Sequence, residues 1–210
     1  MCKQEVTQAG KPNLLNKMKE AANMSTTEEQ LIDAYGKGTP KQRFALIYKN
    51  YEVFLNMVDS YEVGLFNRIL FEREYNRRAK NGDDLGVRIQ TSNRSDPTAQ
   101  KAIENMMIHE AIEKCNFSGD ILKDTDDPEK HRRDILTIHM MRREYEVFDR
   151  NLRSLPGAEF RITYSYLHDG RKLVKIAEDE DKAYQTILNI VSKTRKKLEG
   201  NTIIFFRDTI

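Results

Sequence analysis

The sequence has no tryptophan, and its two cysteines, Cys2 and Cys115, are too few for a disulfide framework. That pattern predicts a reducing compartment. With only 5 prolines and 10 glycines in 210 residues, long stretches are left free to follow helical spacing. No apolar run approaches the roughly 20 residues that a membrane helix needs, and the opening residues are polar, unlike a secretory leader. No sign of charge dominates, with 35 basic against 33 acidic residues, so a nucleic-acid surface has to come from local clustering. The expectation is a soluble, cytoplasmic, all-α chain with no membrane association.

The signatures of catalysis and metal binding are also missing. His109, His131, His139 and His168 are not at ligand spacing with one another or with a cysteine. "DTDDPEK" (124–130) lacks the turn glycine and closing glutamate of a calcium loop. "GKGTPK" (36–41) lacks phosphate-loop spacing, no dinucleotide fingerprint is present, and no local motif marks a nucleophile. These absences predict a non-enzyme without cofactor or metal.

What is present is helical patterning. Residues 1–80 read as a helical N-terminal region of unassigned role, starting with a weak pattern around Leu14, Leu15 and Met18. "STTEEQLIDAYGKG" (25–38) has a capping threonine, early acids and Gly36 as a stop, the marks of a short helix. Phe44, Ile47, Tyr48, Tyr51, Phe54, Leu55 and Val58 recur at three- and four-residue steps, so 40–79 reads as a long amphipathic helix with a break at Gly64. Residues 81–98 read as a linker, ended by Asp96-Pro97, where a capping aspartate and a first-turn proline open a helix to about Cys115. Residues 99–153 are connecting helices. The second of these starts at Asp127-Pro128-Glu129 and puts Ile135, Ile138, Met141, Tyr145, Phe148 and Leu152 on one face, ending at Pro156-Gly157. Three short helices follow, at about 157–168, 172–180 and 182–199. The apolar tail 201–210, with "TIIFFRDTI" inside it, is strand-like and is expected to tuck back onto the helices.

The last of the three helices carries the chemistry. At roughly 100° per residue, Ala183, Ile187, Ile190, Val191, Thr194 and Leu198 share one side. Lys182, Gln185, Asn189, Ser192, Lys193 and Lys196 share the other, without an acid among them. Amides can read adenine edges in a major groove and lysines can meet phosphates. Lys182, Tyr184, Gln185, Asn189, Ser192, Lys193 and Lys196, with Arg171 and Lys172 ahead of the preceding helix, are the candidate DNA-binding residues.

The stretch from Ser154 to Glu199 resembles region 4 of the sigma-70 family, the part that reads the −35 promoter element. Leu155-Pro156, Ile162, Leu167, Gly170, Ile176-Ala177, Thr186-Ile187 and the basic end Arg195-Lys196-Lys197-Leu198 carry the resemblance. "IQTSNRSDPTAQKAI" (89–103) resembles the Ser-Asp-Pro-Thr segment of phage and prophage transcription regulators of the ArpU and RinA type. The resemblance implies a sigma region 4-like helix-turn-helix at 154–200 and a regulator of phage or mobile-element genes. It implies double-stranded DNA as partner, and RNA polymerase as a second. No counterpart of the aromatic-rich promoter-melting region is present, which argues against a complete sigma factor.

The chain departs from that family in one place. Glu178, Asp179, Glu180 and Asp181 follow one another, and Glu180, Asp181 and Lys182 stand where the family places a leucine, a glycine and an apolar residue in the turn. Ala183 stands in the position of the usual capping serine and cannot cap. The expectation is that Asp181 caps a helix starting about two residues early, tolerating unusual turn angles, and that Glu180 is exposed or paired with a nearby lysine. The competing readings are a small terminase or packaging adaptor, a degenerate motif acting through protein contacts, and a homo-oligomer built on the apolar faces of 40–79 and 128–155.

Overall fold

The computed structural model describes residues 29–81, 97–118 and 120–206. The pattern near Leu14, the cap of the first helix, most of the 81–98 linker with its Asp96 cap, and the tail beyond Phe206 lie outside them. The described residues are all helical apart from turns, and no strand occurs among them. The elements are α1 (29–37), α2 (Pro40–Asn50), α3 (Phe54–Asn81), α4 (Pro97–Lys114), α5 (Pro128–Arg153), α6 (Gly157–Leu167), α7 (Leu173–Asp179) and α8 (Tyr184–Ile203).

The expected helix 40–79 is two helices, and the break falls at Tyr51 rather than Gly64, which sits inside α3 in open space. Tertiary anchoring decides the place. Tyr51 is buried, donates its hydroxyl to Asp149 at 2.5 Å and stacks on Tyr145 at 5.3 Å. The starts of α2 and α5 have a local cause. Thr39 and Gln42 form a reciprocal capping box on α2, and Asp127 accepts from the Lys130 amide at 2.9 Å on α5, with Pro128 in the first turn as expected.

The long helices enclose an aromatic core, with Phe44 at 5.5 Å from Phe148 and Phe54 stacked on Tyr145 at 5.7 Å. One charged pair is sealed into it. Arg43 is wholly buried and meets Glu144 through Nε at 2.9 Å and Nη2 at 3.0 Å, while Tyr35 donates to the same carboxylate at 2.7 Å. Arg43 also donates to the Gly38 carbonyl at 2.7 Å.

A smaller core of Ile162, Ile176, Ala177, Ile187 and Val191 joins α6, α7 and the first half of α8. The second half of α8 leaves it and enters the aromatic core through Leu198 and, partly, Ile203. The strand-like tail is therefore corrected as far as it is described: Thr202 and Ile203 are the last helical residues, and 204–206 are a turn. Helix packing outweighs β-propensity there, because Thr202 is fully buried and Phe206 is buried close to Arg43, 5.8 Å from the guanidinium.

Candidate nucleic-acid interface

The α7–α8 corner sets the geometry. α7 ends at Asp179, residues 180–183 turn, and α8 starts at Tyr184. Ala183 is the N-cap residue, without a side-chain capping bond, so the expected cap by Asp181 is not what forms. Asp181 sits instead at φ 49° in the left-handed region, the position where a glycine is favoured. Aspartate tolerates that region better than most residues, so this half of the expectation holds. The helix starts two residues later than expected because the turn is closed by backbone bonds, Lys182 N–H to Ala177 carbonyl at 3.0 Å and Asp181 N–H to Glu178 carbonyl at 3.3 Å.

Three of the four acids of the corner are tied within the unit. Lys175 pairs with Glu178 at 2.7 Å, and Arg171 pairs with Asp179. Arg161 of α6 reaches Glu180 with Nε at 3.2 Å and Nη2 at 3.1 Å, and Lys182 lies 3.4 Å from the same carboxylate. Hydrogen bonding from Arg161 in particular holds the Glu180 carboxyl below its usual range. The pairing with lysine was legible from the sequence. The arginine, 19 residues away and on another helix, was not.

Of the candidate residues, Gln185, Asn189, Ser192, Lys193 and Lys196 are all exposed, while Ile187, Val191, Thr194 and Leu198 are buried on the opposite side of α8. Gln185 Nε2 donates to Asn189 Oδ1 at 3.2 Å, so two amides on successive turns are held in one mutual orientation. Tyr184, 48 % exposed, begins the helix beside the exposed Leu188. Lys182 is in the turn rather than in the helix, with its ammonium 3.2 Å from the Glu180 carbonyl. Lys172 is exposed at the N-cap of α7, and Arg171 is engaged by Asp179. The structure thus gathers Gln185, Asn189, Ser192, Lys193 and Lys196 on one helix face. It places Lys182, Arg171 and Lys172 at the corner and at the start of α7, two of them already in ion pairs.

α8 runs four residues beyond the expected end, to Ile203, and Glu199, already within the expected helix, lies toward the end of this face with its carboxylate 3.5 Å from Lys41 of α2. Among the described residues there is no cluster of metal-ligating side chains, and no helix is long and apolar enough to cross a membrane. No family model matches the sequence, and no curated protein or solved structure is significantly similar to it.

Proposed function

We propose that this protein is a sequence-specific DNA-binding transcription regulator that lays α8 in the major groove through a sigma region 4-like helix-turn-helix formed by α6, α7 and α8. The observation that carries the reading is the solvent face of α8. Its central residues are two amides, a hydroxyl and two lysines, with no carboxylate from Tyr184 to Leu198, in a chain that has 33 acids. Base-edge contacts fall to Gln185 and Asn189, and phosphate contacts to Lys193 and Lys196. The four consecutive acids do not contradict it, because three of them are paired with cations of the same unit, on α6, on α7 and in the loop between them. A phage or mobile-element setting, with RNA polymerase as a second partner, follows from the Ser-Asp-Pro-Thr and sigma-like resemblances.

The test is binding of labelled duplex fragments from the protein's own genomic neighbourhood as salt is raised. Selection of one fragment, with a changed base preference in Gln185→Ala and a uniformly weaker, less salt-sensitive interaction in Lys193→Ala, is the expected result. Equal, negligible binding of every fragment at low salt would overturn it.

A further inference from the structure

The DNA-facing surface of α8 does not end at the three C-terminal helices. α2 packs along α8 in the opposite sense, Lys41 meeting Glu199 at 3.5 Å and Tyr48 meeting Arg195, whose guanidinium carbon is 5.0 Å from the centre of the Tyr48 ring. Arg195 is about 60° around the helix from Ser192, on the flank of the reading face. Lys193 lies on the opposite flank, about 160° around the helix from Arg195. An exposed cation therefore lies on each side of the amide row.

Beside Arg195 the end of α2 adds more charge. A cleft of about 540 Å³ runs between the α2–α3 corner and the α6–α8 side, and its walls include Tyr48, Lys49, Asn50, Glu52, Tyr166 and Arg195. Lys49 is exposed in the last turn of α2 and has no ion pair among the described residues. Arg195 is exposed as well, lies over the Tyr48 ring and has no ion pair among the described residues. Glu52, exposed at the rim, is the one carboxylate among the described residues that line the cleft. Two cations without carboxylate partners converge here on the side of a helix whose neighbouring face presents base-reading groups. A ligand that suits this arrangement is a polyanionic strand running past α8.

We propose that α2 and α8 together form a phosphate-binding rim, in which Lys49 and Arg195 meet one DNA strand while Lys193 meets the strand across the groove. The proposal rests on the DNA-binding reading given above and extends it to a helix outside the three C-terminal ones. The major groove is about 12 Å wide, so a helix lying in it has a phosphate backbone on each side, and both flanks of α8 need a cation. Lys49 also suits the negative carboxyl end of α2. That contribution is to stability alone, and the experiment separates the two.

The experiment is a salt titration of affinity for a set of labelled duplex fragments of differing sequence, with the full chain and four variants, Lys49→Ala, Arg195→Gln, Glu52→Gln and Lys193→Ala. Melting curves establish that each variant is folded; Arg195→Gln keeps a side chain over the Tyr48 ring, and Lys49 is at the surface. Loss of one phosphate contact lowers the slope of log affinity against log salt by about 0.9. The expected result is that drop in Lys49→Ala and again in Arg195→Gln, with an unchanged ranking of individual fragments, and tighter binding in Glu52→Gln. Wild-type affinity and slope in Lys49→Ala and Arg195→Gln, beside a weakened Lys193→Ala, would overturn the rim and leave the reading of α8 intact. Absence of salt-sensitive binding in the wild-type chain would overturn both.

Discussion

Arg161 on α6 holds Glu180 at the close of α7 with two hydrogen bonds, at 3.2 and 3.1 Å. The contact fastens the turn that launches α8 to the helix behind it. It also explains how a corner with four consecutive acids can stand next to a surface that reads as DNA-binding. Glu180 is turned toward a cation of its own unit, and its field is partly cancelled before it reaches a phosphate.

Glu180→Gln tests that cancellation. A glutamine oxygen can still accept from Arg161, so the turn is expected to keep its shape. The carboxylate charge is gone, and both Arg161 and Lys182 gain free positive charge. On the DNA-binding reading, affinity for every duplex rises and the salt slope steepens, while base preference stays as in the wild type. The wild-type carboxyl has a lowered pKa, so the stability it contributes is present above its unfolded pKa and is lost as pH falls through the folded value. Glu180→Gln should remove that part of the acid limb from a melting-temperature profile. An unchanged salt titration would show that the acid exerts no field on bound DNA.

Asp181→Gly addresses the turn itself. A non-glycine residue in the left-handed region costs roughly 1–2 kcal/mol, less for aspartate than for a branched side chain. Glycine at φ 49° should therefore be neutral or stabilising by up to about 1 kcal/mol in urea unfolding, and Asp181→Val destabilising by at least as much. A large loss in Asp181→Gly would mean that the carboxylate, rather than the backbone angle, holds the corner.

Much of this architecture was legible in the sequence where periodicity met a local signal. Asp127-Pro128 opens α5, Gly170 takes φ 60° ahead of α7, and the buried positions of α8 follow a 3.6-residue pattern. Two kinds of information were not legible. The break at Tyr51 depends on Asp149 and Tyr145, more than 90 residues away, and nothing in the intervening sequence announces it. The start of α8 was placed too early because aspartate is equally suited to an N-cap and to a left-handed turn, and only the backbone bonds to Ala177 and Glu178 choose between these. Among the site residues, the α8 face was readable, whereas the occupation of Arg171 by Asp179 and of Glu180 by Arg161 was not.

Asp134 gives the chain a pH dependence of the opposite sign. It is buried, accepts from the Tyr61 hydroxyl at 2.9 Å, and burial lifts its pKa despite that bond and despite Lys130 and His131 nearby. An acid with a raised folded pKa contributes stability that is fully present below its unfolded pKa and is lost as pH rises through the folded one. Asp134→Asn keeps an acceptor for Tyr61 and never ionises. At neutral pH it should be more stable than the wild type by on the order of 1 kcal/mol, roughly 2–4 °C in Tm for a chain of this length. The gap should close as pH falls below the ordinary carboxylate range. A lower Tm in Asp134→Asn at neutral pH would mean that the ionised form is favoured by its surroundings after all.

The sealed Arg43–Glu144 pair is the place where one substitution should do most harm to the whole fold. Glu144→Ala leaves a fully buried guanidinium without its carboxylate, and such uncompensated charge typically costs about 3–5 kcal/mol. Tyr35 loses the acceptor of its hydroxyl in the same step. Replacing both partners together, as Arg43→Met with Glu144→Leu, removes the charge and its counter-charge at once, and should cost less than Glu144→Ala alone, because no ion then remains in the core. The comparison in urea unfolding separates the worth of the pair from the cost of breaking it. On the DNA-binding reading, since Arg43 sits against Phe206 and α2 packs along α8, a chain weakened here should also lose DNA affinity before it unfolds completely. Retention of full affinity in Glu144→Ala up to the unfolding midpoint would show that the reading helix is held by its small core of Ile162, Ile176, Ala177, Ile187 and Val191 alone.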